Sequence, residues 1–365
     1  MKDNINLDVS EELIKEQFFS TLNQCGITPK KNFQLIPDGR IHRFSTVEDK
    51  HGEYSGAYFI HLDGWPNWAV QDFRKHDKMQ KFSLNKNLIT NCKFDLSQLN
   101  AMIEKSRMKS AERQAKEAEQ ERLAIQQARE KYESANPNYG HPFNHYNTHP
   151  YLIAKHINFT GKDSYFGDSL GHAPRITTSK KNGDKILLIP LFDSLTGNFK
   201  SLQWIAGTPN QNNTYSRGFY SGISIKGLCA ELIPISYCAY KYRDIDNLDN
   251  IFKPEHWEKS DIEIYICEGV ATGFSVLEIT DYKSPVVCAM TCHNIIHVAQ
   301  AWKERLKDFK TKIIIAADND EAGINAARAT VNAGFADNIQ TPPHETGFNG
   351  SDWNDYINFK KGFIK

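Results

Sequence analysis

In the C-terminal third of the sequence, apolar strands alternate with amphipathic helices, and carboxylates stand where the strands stop. Ile262-Glu263-Ile264-Tyr265-Ile266-Cys267 reads as a buried strand that runs straight into Glu268-Gly269 and then into a helical segment, 270–280. A second apolar run, Pro285 to Met290, precedes a helix from about Asn294 to Lys307. A third, Lys312 to Ala317, ends at Asp318-Asn319-Asp320, where Glu321-Ala322-Gly323 opens another helix that Gly334 closes. Strand followed by helix three times predicts a parallel sheet covered on both faces.

Ligands of such sheets gather at the carboxyl ends of the strands, near a switch in strand order. Glu268 and Asp318 each end a strand and Asp320 lies two residues on, so all three are expected along one rim. Carboxylates crowded there repel one another, and a divalent cation is the natural way to stabilise them. Oxygen-only ligands suit Mg²⁺ or Mn²⁺ and not zinc. Farther on, Gly350-Ser351-Asp352-Trp353-Asn354-Asp355-Tyr356 adds Asp352 and Asp355, three residues apart, on one side of a turn or helix start. Each piece alone is commonplace, since Asp-x-Asp is an ordinary turn. Their order within about 90 residues is the informative feature.

The remaining sequence bounds the architecture. A chain of 365 residues holds two or three domains. Residues 8–25 read as a helix with an Asp8/Glu11 capping box and a Leu13, Ile14, Phe18, Leu22 stripe. From Phe33 to Phe82, short aromatic and β-branched runs broken by Asp-Gly turns at 38–39 and 63–64 predict a small β-rich module. Arg40, His42, Arg43 and Arg74 beside Trp65, Trp68 and Phe73 could clamp a single strand, or the aromatics could simply fill a core. Residues 102–134 lack Gly and Pro, carry eight basic and seven acidic side chains, and read as a solvated spacer helix. The run 136–150, with three prolines and three histidines, then reads as a loop. Lys185–Leu191 and Phe199–Ile205 form a hairpin around the turn DSLTGN. Arg175, Lys180, Lys181, Lys185, Lys200 and Arg217 stand against two aspartates between 171 and 217, a basic surface suited either to phosphate contact or to plain solvation. The expected division is 1–100, 101–135, 136–255 and 256–365.

Net charge is zero, so any nucleic-acid affinity must come from local patches. Apolar residues are 40% and no stretch approaches the ~20 apolar residues of a membrane span. The first residues are acidic where a secretory leader needs a basic flank, so a cytoplasmic protein is expected. Seven scattered cysteines form no disulfide framework and no CxxC pair, and no zinc is expected.

Taken together, CEGVATGFS, IIIAADNDEAG and GSDWNDY resemble a Toprim domain over about residues 261–358. That is the catalytic domain shared by bacterial-type primases, type IA and type II topoisomerases and some nucleases. The resemblance implies a Rossmann-like parallel sheet with helices on both faces. It implies that Glu268 is the motif glutamate, that Asp318 and Asp320 bind metal, that Gly269 and Gly323 are motif glycines, and that Asp352 and Asp355 are the late acidic pair of the primase branch. The hairpin KILLIPLFDSLTGNFKSLQWI is similar to the first half of a primase core, and DGRIHRFSTVEDKHGEYSGAYFIHLDGWPNWAVQDFR resembles the start of primase-like proteins of conjugative plasmids and phages. The implied whole is an α/β and α+β multidomain chain: an N-terminal β-rich module, a long charged helix, a mixed α/β primase-core subdomain and the Toprim domain. The implied activity is synthesis of short RNA primers on single-stranded DNA from nucleoside triphosphates with Mg²⁺. No Cys/His zinc module and no GxxxxGK[ST] loop is present, so template reading by a zinc domain is in doubt and a separate replicative helicase is expected. A metal-dependent nuclease and a non-catalytic DNA-binding replication or defence accessory are the alternatives.

Overall fold

The computed structural model describes residues 11–62, 65–85, 96–135, 149–157, 174–234 and 261–364. Its contacts divide the chain into two units, Met1–Ala118 and Glu119–Lys365, and the division falls inside one long helix, α2 (Leu96–Glu133).

The first unit packs α1 (Glu11–Gln24) on an antiparallel meander of β1 (His42–Phe44), β2 (Gly56–His61), β3 (Asn67–Asp72) and β4 (Gln80–Ser83). The predicted stripe is what α1 buries: Ile14, Phe18 and Leu22 join Tyr58, Ile60, Trp68 and Val70 in one core. Gly26 (φ 65°) and Gly39 (φ 76°) adopt the left-handed backbone that ends this helix and turns the chain at 38–39. The Asp-Gly pair at 63–64 and the Asp8 cap lie outside the described residues. Trp65 and Trp68 are core and not a stacking surface, and the Trp68 indole donates to Thr21 Oγ1 at 3.1 Å. Arg74 is held by Asp72 and Asp49, while Arg43 lies 4.1 Å over the exposed ring of Phe73.

After the end of α2, the second unit contains a short helix, α3 (Pro150–Ala154), and the strands β5 (Arg175–Thr178), β6 (Lys185–Asp193), β7 (Phe199–Pro209), β8 (Tyr215–Phe219) and β9 (Leu228–Leu232). The alternating segment follows as β10 (Asp261–Cys267), α4 (Val270–Ile279), β11 (Val286–Cys288), α5 (Ile295–Arg305), β12 (Lys310–Ala316), α6 (Glu321–Asn332), β13 (Asn338–Gln340) and α7 (Trp353–Lys360). These strands form one nine-stranded sheet in the order β13-β12-β10-β11-β9-β6-β7-β8, with β5 beside β6. The four strands from β13 to β11 are parallel, and β9 joins them antiparallel to the meander. No sheet edge therefore separates 136–255 from 256–365. No strand was expected at β13 or β9, which are only three and five residues long.

Side-chain alternation splits the apolar residues of the parallel strands between two cores. Tyr265, Cys267, Val286, Cys288, Ile314 and Ala316 face α4 and Trp353 of α7, whereas Ile264, Ile266, Val287, Ile313 and Ile315 face α5 and Ala327 of α6. The predicted double cover is thus realised residue by residue. Gly273 lets α4 settle on the sheet, because a Cβ there would overlap the Cys288 sulfur and sit 3.0 Å from Leu232 Cδ1. The end of α2 covers the far face of the meander through Ala128 and Tyr132. Of the three histidines expected in a loop, His149 is instead buried at the N-cap of α3, its Nε2 3.3 Å from the Lys185 carbonyl oxygen; burial lowers its pKa. The other two lie outside the described residues. No helix among the described residues is long and apolar enough to cross a membrane.

Candidate active site

Chain order moves from β10 outward to β11 and then back across β10 to β12, which creates a switch point between β10 and β12. The register pairs Cys267 with Ala316, so the residues that follow these two strands leave the sheet side by side. Neighbouring strands run about 4.8 Å apart. Glu268 and Asp318 therefore share one rim, as expected from the sequence. A cleft of about 730 Å³ opens there, lined by Glu268, Asp318, Asp352 and Asp355 on one side and by Gln203, Ile205, Tyr215 and Arg217 of β7 and β8 on the other.

The electrostatics of the rim follow from burial and like charge. Burial is the largest cause holding the Asp318 carboxyl at a pKa of about 7; Asp352, Glu268 and Asp320 add to it, and a hydrogen bond from Thr272 Oγ1 at 3.4 Å opposes it. Glu268 is raised by burial and by Asp320, and is drawn back by Arg217 and His293. Asp320 caps α6, accepting from the Gly323 amide at 2.7 Å, and Asp352 caps α7 by accepting from the Asp355 amide at 2.7 Å. Asp355 in turn accepts from the Ser351 amide at 3.3 Å, and the Asn319 amide donates to the Ser351 carbonyl at 2.6 Å, which ties the late acidic turn to the Asp-x-Asp turn.

The three motif carboxylates do not close around one cation-sized gap. Among the described residues no three His, Cys, Asp or Glu side chains are placed to hold a metal ion, and Asp320 is exposed and does not line the cleft. The capping bond of Asp320 to the Gly323 amide turns that carboxylate toward α6. The donor set still fits Mg²⁺ or Mn²⁺. It consists of hard oxygens, and the cost of keeping Asp318 ionised among three other carboxylates is what a bound cation removes. Glu268, Asp318, Asp320 and Asp352 are the residues that would hold it.

The motif glycines differ in kind. A Cβ on Gly323 would stand 2.8 Å from the Asp318 carbonyl oxygen, so the Asp-x-Asp turn closes only over glycine. A Cβ on Gly269 would meet nothing within 4 Å; this residue is the N-cap of α4 and lines the cleft. Of the six basic residues proposed for phosphate contact, Arg217 alone lines the cleft. Arg175 is buried, stacked 4.3 Å over Tyr132, and donates to the carbonyl oxygens of Tyr132 and Glu133, so it closes the end of α2. Lys180 and Lys181 are exposed on the β5–β6 turn, Lys185 starts β6 and Lys200 lies near the start of β7, all away from the cleft. Thr272 was not singled out from the sequence, whereas Gln203 is the glutamine of the primase-core-like hairpin. Thr272 lies four residues after Glu268, one helical turn into α4, a spacing that could have flagged it.

Residues 263–361 match the Toprim domain family, so this part of the chain is a Toprim domain. A search of curated proteins returns no match. Among solved structures, the chain is similar to one in a complex of bacteriophage T7 lagging-strand DNA polymerase with primase domains bound to an RNA/DNA hybrid and dTTP, at 15% identity and a TM-score of 0.34, covering 53% of this chain and 81% of that one. It is likewise similar to the primase fragment of the bacteriophage T7 primase-helicase protein, at 17% identity and a TM-score of 0.34, covering 60% and 73%.

Proposed function

We propose that this chain is a primase-like nucleotidyltransferase that builds short RNA primers on single-stranded DNA from ribonucleoside triphosphates, working beside a separate replicative helicase in the cytoplasm. The observation that carries this reading is the cleft itself. Its acidic Toprim rim faces a wall that presents Arg217, so one opening joins a cation-binding side to a phosphate-binding side. Divalent cations held by Glu268, Asp318, Asp320 and Asp352 would supply charge stabilisation to the attacking and leaving oxygens. Arg217 neutralises phosphate across the cleft. Glu268 takes the proton of the attacking 3′-hydroxyl at its carboxylate, a task favoured by a pKa that burial and Asp320 raise. Thr272 orients Asp318 by donating to Oδ1. Asp320 and Asp352, fixed by their caps, hold the two turns that frame the opening.

The test is incubation with single-stranded DNA, ribonucleotides and Mg²⁺ or Mn²⁺. Oligonucleotides that appear with wild type and vanish with Glu268→Gln and Asp318→Asn support the reading. Cleavage of the strand without synthesis identifies a nuclease, and binding alone identifies an accessory protein.

A further inference from the structure

Among the described residues that line the cleft, one buried side-chain atom has no hydrogen-bond partner, Oδ1 of Asn358. The residue is 4% exposed. A relay of hydrogen bonds fixes which end of its amide is unpaired. The Ser275 hydroxyl donates to the Ala271 carbonyl at 3.0 Å, so its oxygen is left to accept from Asn354 Nδ2 at 3.1 Å, and the same Nδ2 donates to the Lys155 carbonyl at 2.9 Å. Asn354 Oδ1 then accepts from Asn358 Nδ2 at 3.3 Å, and that nitrogen also donates to the Lys155 carbonyl at 3.3 Å. The unpaired end is therefore an acceptor. An acceptor held out of water without a partner is unfavourable, and a ligand group that donates removes the deficit.

The surroundings of Asn358 narrow the class of donor. Asp355 and Asn358 are three residues apart on one face of α7 and both line the cleft, so the acceptor stands about one helical turn, about 5 Å, beyond the acidic rim. An aromatic ledge adjoins it. His156, next in sequence to Lys155, lines the cleft and stacks on the exposed ring of Phe363, with centroids 4.4 Å apart and planes at 12°. The Phe363 amide donates to the Asn358 carbonyl at 2.9 Å, which ties the ledge to the acceptor. A flat π face beside a buried acceptor fits a nucleobase. A nucleotide whose phosphates meet the cation side of the cleft carries its base past the sugar, which brings it to this turn. Bases divide at the edge that stays open when they pair with a template: adenine and cytosine present an amino donor there, guanine and uracil a carbonyl acceptor.

We infer that Asn358 is a specificity-determining residue whose Oδ1 accepts from the exocyclic amino group of a nucleotide base stacked on His156, so that the cleft selects amino bases over keto bases. The inference deepens the nucleotidyltransferase reading and rests on it. A keto oxygen leaves the buried acceptor unpaired and repels it, so the preference is expected to be about tenfold.

The experiment measures binding of ATP and ITP, which carry an amino and a keto group at that edge, to the full chain by calorimetry with Mg²⁺, alongside kcat/KM for each in primer synthesis; CTP and UTP form a second pair. Wild type is expected to favour the amino member of each pair about tenfold in both measurements. Asn358→Ala is expected to bring both ratios to about one while ITP binding stays within about twofold. Asn358→Ser serves the same purpose if the alanine variant fails to fold by circular dichroism. An unchanged ratio in a folded variant, or equal binding of ATP and ITP by wild type, overturns the assignment. Preference for a deoxyadenosine over a deoxyinosine oligomer, with none between the free nucleotides, places a template base at Asn358 and overturns it too. Selective ATP binding that Asn358→Ala abolishes, without any oligomer formed by wild type, upholds Asn358 and sinks the primase reading alone. Failure to bind any of the nucleotides overturns both.

Discussion

Replacing Asp318 by asparagine should stabilise the metal-free protein while removing the proposed activity. Burial and three neighbouring carboxylates raise this carboxyl from 3.8 to about 7. The folded state therefore holds a proton between about pH 4 and 7 that the unfolded chain has released, and stability falls as pH rises through that window. Above pH 7 the full penalty applies. About three pH units at 1.36 kcal/mol each give about 4 kcal/mol, and partial exposure of the group brings this to about 2–4 kcal/mol. Asparagine keeps the shape and an acceptor for Thr272 but carries no charge. The gain of Asp318→Asn over wild type should thus be near zero at pH 4 and reach about 2–4 kcal/mol at pH 8. Amide hydrogen exchange of peptides from β10 and β12, compared at matched pH in EDTA, reads this locally. Mg²⁺ should then slow exchange in wild type and leave the variant unchanged. A gain equal at both pH values, or an asparagine variant less stable at pH 8, would refute the electrostatic account of the rim.

Gly273→Ala forces a methyl into the Cys288 sulfur and should cost about 1–3 kcal/mol, measured by urea unfolding. Gly323→Ala pushes on the Asp318 carbonyl; primer synthesis should fall by tenfold or more, and a variant with wild-type kcat/KM would show that the turn has room to relax. Arg305→Leu removes the 2.6 Å ion pair of the buried Glu231 and should cost about 3–5 kcal/mol, part of which Glu231→Leu added to it restores; a double variant no more stable than the single one would contradict this. Asn294→Ala removes an amide that donates to the carbonyls of Ile225, Leu228 and Ala289 and accepts from the Gly227 amide, and thermal unfolding should fall by several degrees.

Much of the second unit was legible because its cause is local. Apolar runs such as Lys312 to Ala317 demand burial on both faces, and carboxylates at their ends mark a ligand rim wherever the sheet is parallel. The α1 stripe and the 38–39 turn were readable for the same reason, since periodicity and a left-handed glycine act within a few residues. The short strands β9 and β13 carry too few residues for a pattern. They are strands because a neighbour supplies the hydrogen bonds, β11 for β9 and β12 for β13.

The residues alone were enough for the alternating α/β segment and for Glu268 and Asp318 at strand ends with Asp320 two residues on; that Gly323 is what lets the Asp-x-Asp turn close came from the fold. Tertiary structure alone decided which cations could act. Six basic residues are equivalent as charges along the chain, yet the fold spends Arg175 on the end of α2 and leaves Arg217 in the cleft. It also decided that Asp320 turns to cap a helix while the Asp318 carboxyl is raised to a pKa of about 7. Burial and charge coupling depend on what distant segments place nearby, and no run of neighbouring residues carries that information.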